Sequence, residues 1–99
     1  MSFQAVSIKS ASIGASALTL SSTLFNFASS DLEGAQKVTI LPSSASVYVG
    51  YTGTTPTAAL GIPVSTGTSY TVTGAANVAR LQIVSQTTVL ASVIAQIEK

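Results

Sequence analysis

The sequence predicts an all-β fold, either an antiparallel β-sandwich or a small jelly-roll-like barrel of about seven or eight short strands. Runs rich in Val, Ile, Thr, Tyr and Phe alternate with more polar positions, and Gly, Pro and Ser interrupt them at fairly regular intervals. Such residues fit a pleated, half-buried surface better than a helix. At 99 residues, the chain has the length of a single domain spanning residues 1–99.

The N-terminal third predicts one strand, one mixed region and one helical turn. We expect the strand over residues 3–10 and the mixed region over 17–27, where the hydrophobic phase slips and indicates a turn at Ser21 and Ser22. Ser30 precedes Glu33 by three positions and Gly34 follows, which is the spacing of a capping box closed by glycine.

The rest of the chain predicts six further strands. Pro63 places the strand that contains it at a sheet edge, because proline cannot donate to a central ladder. Residues 52–57 and 74–77 are rich in turn formers and are expected to be a loop and a turn. The expected strands are 35–41, 47–51, 59–64, 68–73, 78–84 and 87–97.

The last of these segments is ambiguous. As a strand it places Val89 and the odd-numbered residues up to Ile97 on one face. As a helix, the segment would place Leu90, Ile94 and the apolar residues at helical spacing from them along one stripe. We favour the strand, in which Leu90 and Ile94 lie on the opposite face, as in a strand that is covered on both sides.

The chain is unusually poor in charge. Four basic and three acidic residues are present, whereas soluble domains devote about a quarter of their residues to charge. A chain so close to neutral tends to self-associate. The cations Lys9, Lys37, Arg80 and Lys99 are scattered, so no groove for phosphates is expected and nucleic acid is excluded as a partner.

Membrane and secretion signals are weak in this sequence. No window approaches the roughly twenty apolar residues of a membrane span. The N-terminal stretch after Lys9 is diluted by Ser and Gly, unlike the apolar run of a signal peptide. We therefore expect a protein made in a cytoplasm, with no membrane partner.

The composition also argues against an enzyme. The chain has no His and no Cys, so the commonest acid, base and thiolate groups are missing. Asp31 and Glu33 suit the dipole of a short helix better than a shared catalytic site. A serine paired with Lys9 or Lys37 is formally possible, but solvated lysines are the simpler interpretation. We expect no catalytic residue, no metal, no cofactor and no small-molecule substrate.

Aromatic residues are the candidates for contact with a partner. Tyr48, Tyr51 and Tyr70 carry a polar tip on an apolar ring, which is typical of interfaces and of sugar-stacking platforms, and Phe3 lies near the N-terminus. The alternative for Tyr48 and Tyr70 is a half-buried place in a strand. The expected interface residues are Tyr48, Tyr51, Tyr70 and Phe3.

Residues 38–97 also resemble a known module. The resemblance rests on the segments Val47-Tyr48-Val49-Gly50, a Thr-rich loop, Gly61-Ile62-Pro63-Val64, Gly67-Thr68-Ser69-Tyr70, Asn77, Leu81-Gln82-Ile83-Val84 and the closing segment 89–97. This order is similar to a small β module of tailed-bacteriophage virion proteins, including capsid decoration (cement) proteins and fibre pieces. Residues 1–35 lie outside the pattern as an N-terminal strand or arm.

The resemblance implies a function in the virion. It implies a decoration protein that binds between major capsid proteins on the outer capsid surface, as a dimer or trimer of itself, and that is assembled in the host cytoplasm. The alternative it leaves open is a tail or head fibre module that binds a host glycan.

Overall fold

The computed structural model describes residues 4–22, 24–51, 55–87 and 89–99. These residues form eight strands and two short helices, and every strand pair is antiparallel. The predicted all-β sandwich is therefore confirmed. The elements are β1 (Ala5–Ile13), β2 (Leu18–Thr19), α1 (Ser29–Leu32), β3 (Lys37–Pro42), β4 (Val47–Gly50), β5 (Ile62–Val64), β6 (Tyr70–Thr73), α2 (Ala75–Arg80), β7 (Gln82–Ser85) and β8 (Ala91–Glu98).

The strands make two sheets of four. The first sheet has the order β1-β8-β3-β6, and the second has the order β2-β7-β4-β5. Strands β1 and β6 are the edges of the first sheet, and β2 and β5 are the edges of the second. The prediction that Pro63 lies in an edge strand is confirmed, because β5 pairs with β4 alone.

The core lies between the inward faces of the two sheets. In β8 the odd-numbered residues from Ala91 to Ile97 are fully buried, which confirms the strand against the alternative helix. Val38 and Ile40 of β3 and Val47 and Val49 of β4 are buried in the same alternating way. Val89 was expected on the buried face, but it lies in the loop before β8 and is 63% exposed.

The N-terminal elements differ from the expected boundaries. Strand β1 extends to Ile13 because this side chain is buried opposite Ala91. Among the described residues between 17 and 27, which leave out residue 23, only Leu18–Thr19 is a strand. The turn at Ser21 and Ser22 is confirmed, since the Ser22 N–H donates to the Thr19 carbonyl at 3.1 Å.

Helix α1 confirms the predicted helical turn but not its cap. The residue before the helix is Ala28, and no side chain caps the helix. Ser30 lies inside α1, so the predicted capping box with Glu33 does not form. Gly34 has a φ of 75°, the left-handed backbone that favours glycine after a helix.

Helix α2 replaces part of a predicted strand. Residues 78–84 were expected to be extended after a turn at 74–77, but the chain is helical from Ala75 to Arg80 and extended only from Gln82. Gly74, with a φ of 95°, ends β6 and turns the chain into the helix. Val78 is then buried from a helix rather than from a strand. The inward positions of Leu81 and Ile83 are confirmed.

Two further strands are shorter than predicted. Of residues 59–64 only Ile62–Val64 is extended, because a turn occupies residues 58–60. The strand expected over 68–73 begins at Tyr70. Both shortened strands lie at sheet edges, where only one neighbour holds the backbone extended.

Candidate functional site

Two of the four aromatic residues predicted to contact a partner meet each other. Tyr51 follows β4 of the second sheet and Tyr70 begins β6 of the first sheet. Their hydroxyl oxygens share a hydrogen bond at 3.4 Å, and both side chains pack against the core. Burial and the neighbouring Tyr51 hydroxyl raise the pKa of Tyr70 to about 12. The pair therefore joins the two sheets through one hydrogen bond between side chains.

Tyr48 lies on the opposite face of β4 from the buried Val47 and Val49. A Cβ added to Gly61 would lie 2.9 Å from the Tyr48 Cβ, so the backbone before β5 passes close to this tyrosine. Pro56, in the same loop, is buried. Tyr48 is thus half-buried beside a loop and does not join the Tyr51 and Tyr70 pair. Phe3 lies outside the described residues.

The charged groups considered for chemistry have several polar neighbours among the described residues. Lys37 Nζ lies 3.3 Å from the Glu98 carboxylate, and Lys99 Nζ donates to the Ser30 backbone carbonyl at 2.6 Å. Asp31 lies in the first turn of α1, as expected for a residue that complements the helix dipole, but Glu33 is the C-cap residue, so the same prediction is wrong for Glu33. Within residues 4–22, 24–51, 55–87 and 89–99, no three acidic side chains cluster as a metal site would need.

The outer face of the first sheet is built by regular strands and carries few charges. We define it as the even-numbered residues 8–12 of β1 and 92–98 of β8, with the odd-numbered residues 37–41 of β3 and 71–73 of β6. In β3, β6 and β8 these residues alternate with buried ones, whereas in β1 only Ala11 and Ile13 are buried between them and Lys9 is exposed. Its only charges are Lys37 and Glu98, which neutralise each other in one ion pair at one end.

A shallow groove of about 220 Å³ runs across the middle of this outer face. Ile8, which is 59% exposed, and the half-buried Leu41 and Ile94 give it an apolar floor. Thr39 and Gln96 also line it, and the Thr39 hydroxyl shares a 3.2 Å hydrogen bond with the Thr71 hydroxyl. The groove therefore offers apolar contact and neutral hydrogen-bonding groups, with no ionisable side chain in its lining.

A second cavity of about 240 Å³ lies between the two helices. Leu20, Leu32 and Val78 supply most of its apolar wall. Gly34 and Ala79 also line the cavity, and their small size leaves room in it. No charged side chain lines it. It is suited to an apolar side chain rather than to a polar ligand.

Sequence reasoning did not identify the outer face. Ile8, Leu41 and Ile94 stand in three strands far apart in the chain, and only the order β1-β8-β3 brings them side by side. The available signal was the second hydrophobic phase of these strands, since Ile94 alternates with residues that are fully buried.

Comparisons with known proteins give no relative from which a function could be carried over. No family model matches the chain, and no curated protein and no solved structure is significantly similar to it. In the part of the chain that the structure describes, no helix has the length and hydropathy needed to cross a membrane.

Proposed function

We propose that this protein is a structural subunit of a tailed-bacteriophage virion, most simply a capsid decoration protein that binds between major capsid proteins and stabilises the shell. The observation that carries the proposal is the neutral outer face of the first sheet. Four strands present hydroxyl, amide and aliphatic groups there, and the one ion pair is internally compensated. Depletion of charge is typical of the core of a protein interface.

The chemistry of the molecule supports a passive role. Lys37 forms an ion pair with Glu98, and burial together with the neighbouring Tyr51 hydroxyl raises the pKa of Tyr70 to about 12, which supports the proposal of a role without proton transfer. A subunit that binds only the assembled shell stabilises that shell by mass action. The order of strands and turns from residue 38 to 97, which resembles the virion module, supports the same class.

The alternative of a glycan-binding fibre module has weaker support. A sugar platform needs an exposed aromatic ring face, whereas Tyr51 and Tyr70 pack against the core and Tyr48 lies against Gly61. The described residues therefore give no specific observation in favour of that function.

The experiment is a comparison of phage particles with and without this chain. The gene is deleted from the phage that encodes it, particles are heated, and released DNA is measured with an intercalating dye. We expect particles that lack the protein to release DNA at a lower temperature, and purified protein added back to restore the release temperature. Equal release temperatures in all three samples would contradict the decoration role.

A further inference from the structure

The four edge strands of the sandwich are unequally protected against pairing with another chain. Exposed edges are normally kept short, or carry proline or charge. Strand β2 has two residues, β6 has four, and β5 has three with Pro63 at its centre. Strand β1 has nine residues and pairs only with β8, and its protection is limited to one charge, Lys9, and the irregularity between Ala5 and Ser7. It is the one long edge in the described chain.

The hydrogen bonds of β8 show which groups of β1 are free to bind. Lys99 and Gln4 exchange both backbone hydrogen bonds, and the Ser43 N–H donates to the Ser92 carbonyl. Because residues of a central antiparallel strand bond alternately to its two neighbours, odd-numbered residues of β8 bond to β1 and even-numbered ones bond to β3. The register pairs Lys9 with Ala95, so the odd residues of β1 face β8.

Three residues of β1 therefore direct their backbone away from the sheet. Ile8, Ser10 and Ser12 each present one N–H and one C=O at the open edge. Their side chains lie on the exposed, neutral outer face. The edge thus presents hydrogen-bonding groups suited to an extended, uncharged strand.

We propose that the occupant of this edge is β1 of a second copy, paired antiparallel across a two-fold axis so that the two first sheets become one continuous sheet of eight strands. An antiparallel pair of identical strands is self-complementary, as a closed two-fold dimer requires. The inference rests on the proposed function only for its expectation of self-association, and the virion location plays no part in it.

Two features of β1 set the register. A two-fold axis at Lys9 would give the longest overlap, but it would place Lys9 opposite its own copy, and like charges directly opposite are destabilising. An axis at Ile8 would include the irregularity between Ala5 and Ser7 in the paired segment. An axis at Ser10 avoids both the repulsion between the two lysines and this irregularity.

With the axis at Ser10, residues 7–13 of the two copies pair without interruption. Ser10 then faces Ser10 of the second copy, Lys9 faces Ala11 and Ile8 faces Ser12. Every opposing pair on the outer face is uncharged.

The first test measures self-association of the purified full chain by sedimentation equilibrium. We expect the wild-type protein to form dimers of the 9.9 kDa chain. Ser10→Pro removes an N–H that β8 does not use, and proline is tolerated at such an edge position. We expect it to keep the circular dichroism of the fold and to weaken dimerisation by at least roughly tenfold.

The matched control is Thr71→Pro, at an edge position of the four-residue β6. The register of β6 against β3 directs the Thr71 N–H away from the sheet in the same way. We expect this variant to dimerise like the wild type. A wild-type chain that stays monomeric, or a folded Ser10→Pro variant with unchanged dimerisation, overturns the proposal.

Cysteine crosslinking tests the proposed pairing of β1 with its copy even if Ser10→Pro does not fold. The chain has no native cysteine, so one introduced cysteine can only bridge two copies. Ser10→Cys places two thiols at the axis, within reach of a disulfide. Ser12→Cys places them four residues apart along the strands, roughly 13 Å and too far to bridge.

We expect rapid oxidative dimerisation of Ser10→Cys and little of Ser12→Cys. Equal rates for the two variants, or none for either, overturn the proposed pairing. A chain that crosslinks at Ser10 but is absent from phage particles would contradict the proposed function and leave the dimer standing.

Discussion

The hydroxyl oxygens of Tyr51 and Tyr70 lie 3.4 Å apart and connect the two sheets of the sandwich. Tyr51 follows β4 and Tyr70 begins β6, and these two strands share no backbone hydrogen bond. Their contact is therefore a direct link between the layers, and it is sensitive to the protonation of Tyr70.

The first prediction concerns alkaline pH. Tyr70 has a pKa of about 12 in the folded chain against 10.0 ordinarily, so the folded state holds this proton more tightly than the unfolded state. The resulting stabilisation is complete below about pH 10 and is lost as the pH rises through 12. We expect the free energy of unfolding to fall less steeply between these values in Tyr70→Phe than in the wild type.

Urea unfolding at a series of pH values measures this slope. Tyr48→Phe is the control, because Tyr48 lies on the other face of β4 and makes no contact with the pair. A Tyr70→Phe slope that matches the wild type would show that the pair does not hold the proton as described.

The second prediction compares two leucines. Leu81 is fully buried directly after α2, whereas Leu60 is 76% exposed. Leu81→Ala removes packed methyl groups and leaves a cavity, so we expect it to lower the free energy of unfolding by about 2–5 kcal/mol. Leu60→Ala should change it by less than about 0.5 kcal/mol. Guanidinium unfolding of both variants checks the difference, and similar losses would contradict the assigned core.

The third prediction concerns the close approach of backbone at Gly61. An added Cβ would lie 2.6 Å from the Thr57 carbonyl oxygen and 2.9 Å from the Tyr48 Cβ, so neither neighbour can yield without moving backbone. We expect Gly61→Ala to destabilise the fold by about 1–3 kcal/mol.

Gly14→Ala is the matched control for that variant. Its Cβ would meet only the end of the Leu90 side chain, at 3.2 Å, and Leu90 is 61% exposed and can shift. The two thermal unfolding temperatures should therefore differ clearly. If Gly61→Ala and Gly14→Ala unfold at the same temperature, the loop before β5 does not lie against Tyr48.

The fourth prediction concerns the one buried polar residue of the described core. Ser85 Oγ donates to the Val89 carbonyl at 2.7 Å and accepts from the Thr87 N–H at 3.3 Å. Ser85→Ala removes both bonds and should cost about 1–2 kcal/mol. Ser65→Ala, at an exposed serine after β5, should be close to neutral. Chemical unfolding of both variants is the measurement. Equal free energies of unfolding would show that the two hydrogen bonds of the Ser85 hydroxyl do not stabilise the fold.

The fold class was predictable because its signals are local. Val47 with Val49, and the odd-numbered residues of β8, alternate within one strand and need no knowledge of their neighbours. Helix α2 was not predictable in this way, since Leu81 and Ile83 alternate as in a strand and Val78, on the opposite phase, did not by itself indicate a helix. The positive φ at Gly74 and the burial of Val78 from a helix decide between the two.

The candidate surfaces depend on topology and could be predicted only in part. Tyr51 and Tyr70 were predicted to contact a partner. Their hydrogen bond to each other instead follows from how one sheet lies on the other. The open edge of β1 follows from the strand order, which places β8 beside it and no described strand beyond it. Alternation along one strand carries no information about that order.

We propose that this chain works by contact, as a subunit bound to an assembled shell. The most direct measurement is the copy number of the chain in purified particles of a tailed phage that carries its gene, relative to the major capsid protein, by quantitative mass spectrometry. The account predicts a fixed, near-integer ratio that survives repeated density-gradient purification. Absence of the chain from such particles, or a ratio that falls with every purification step, would contradict it.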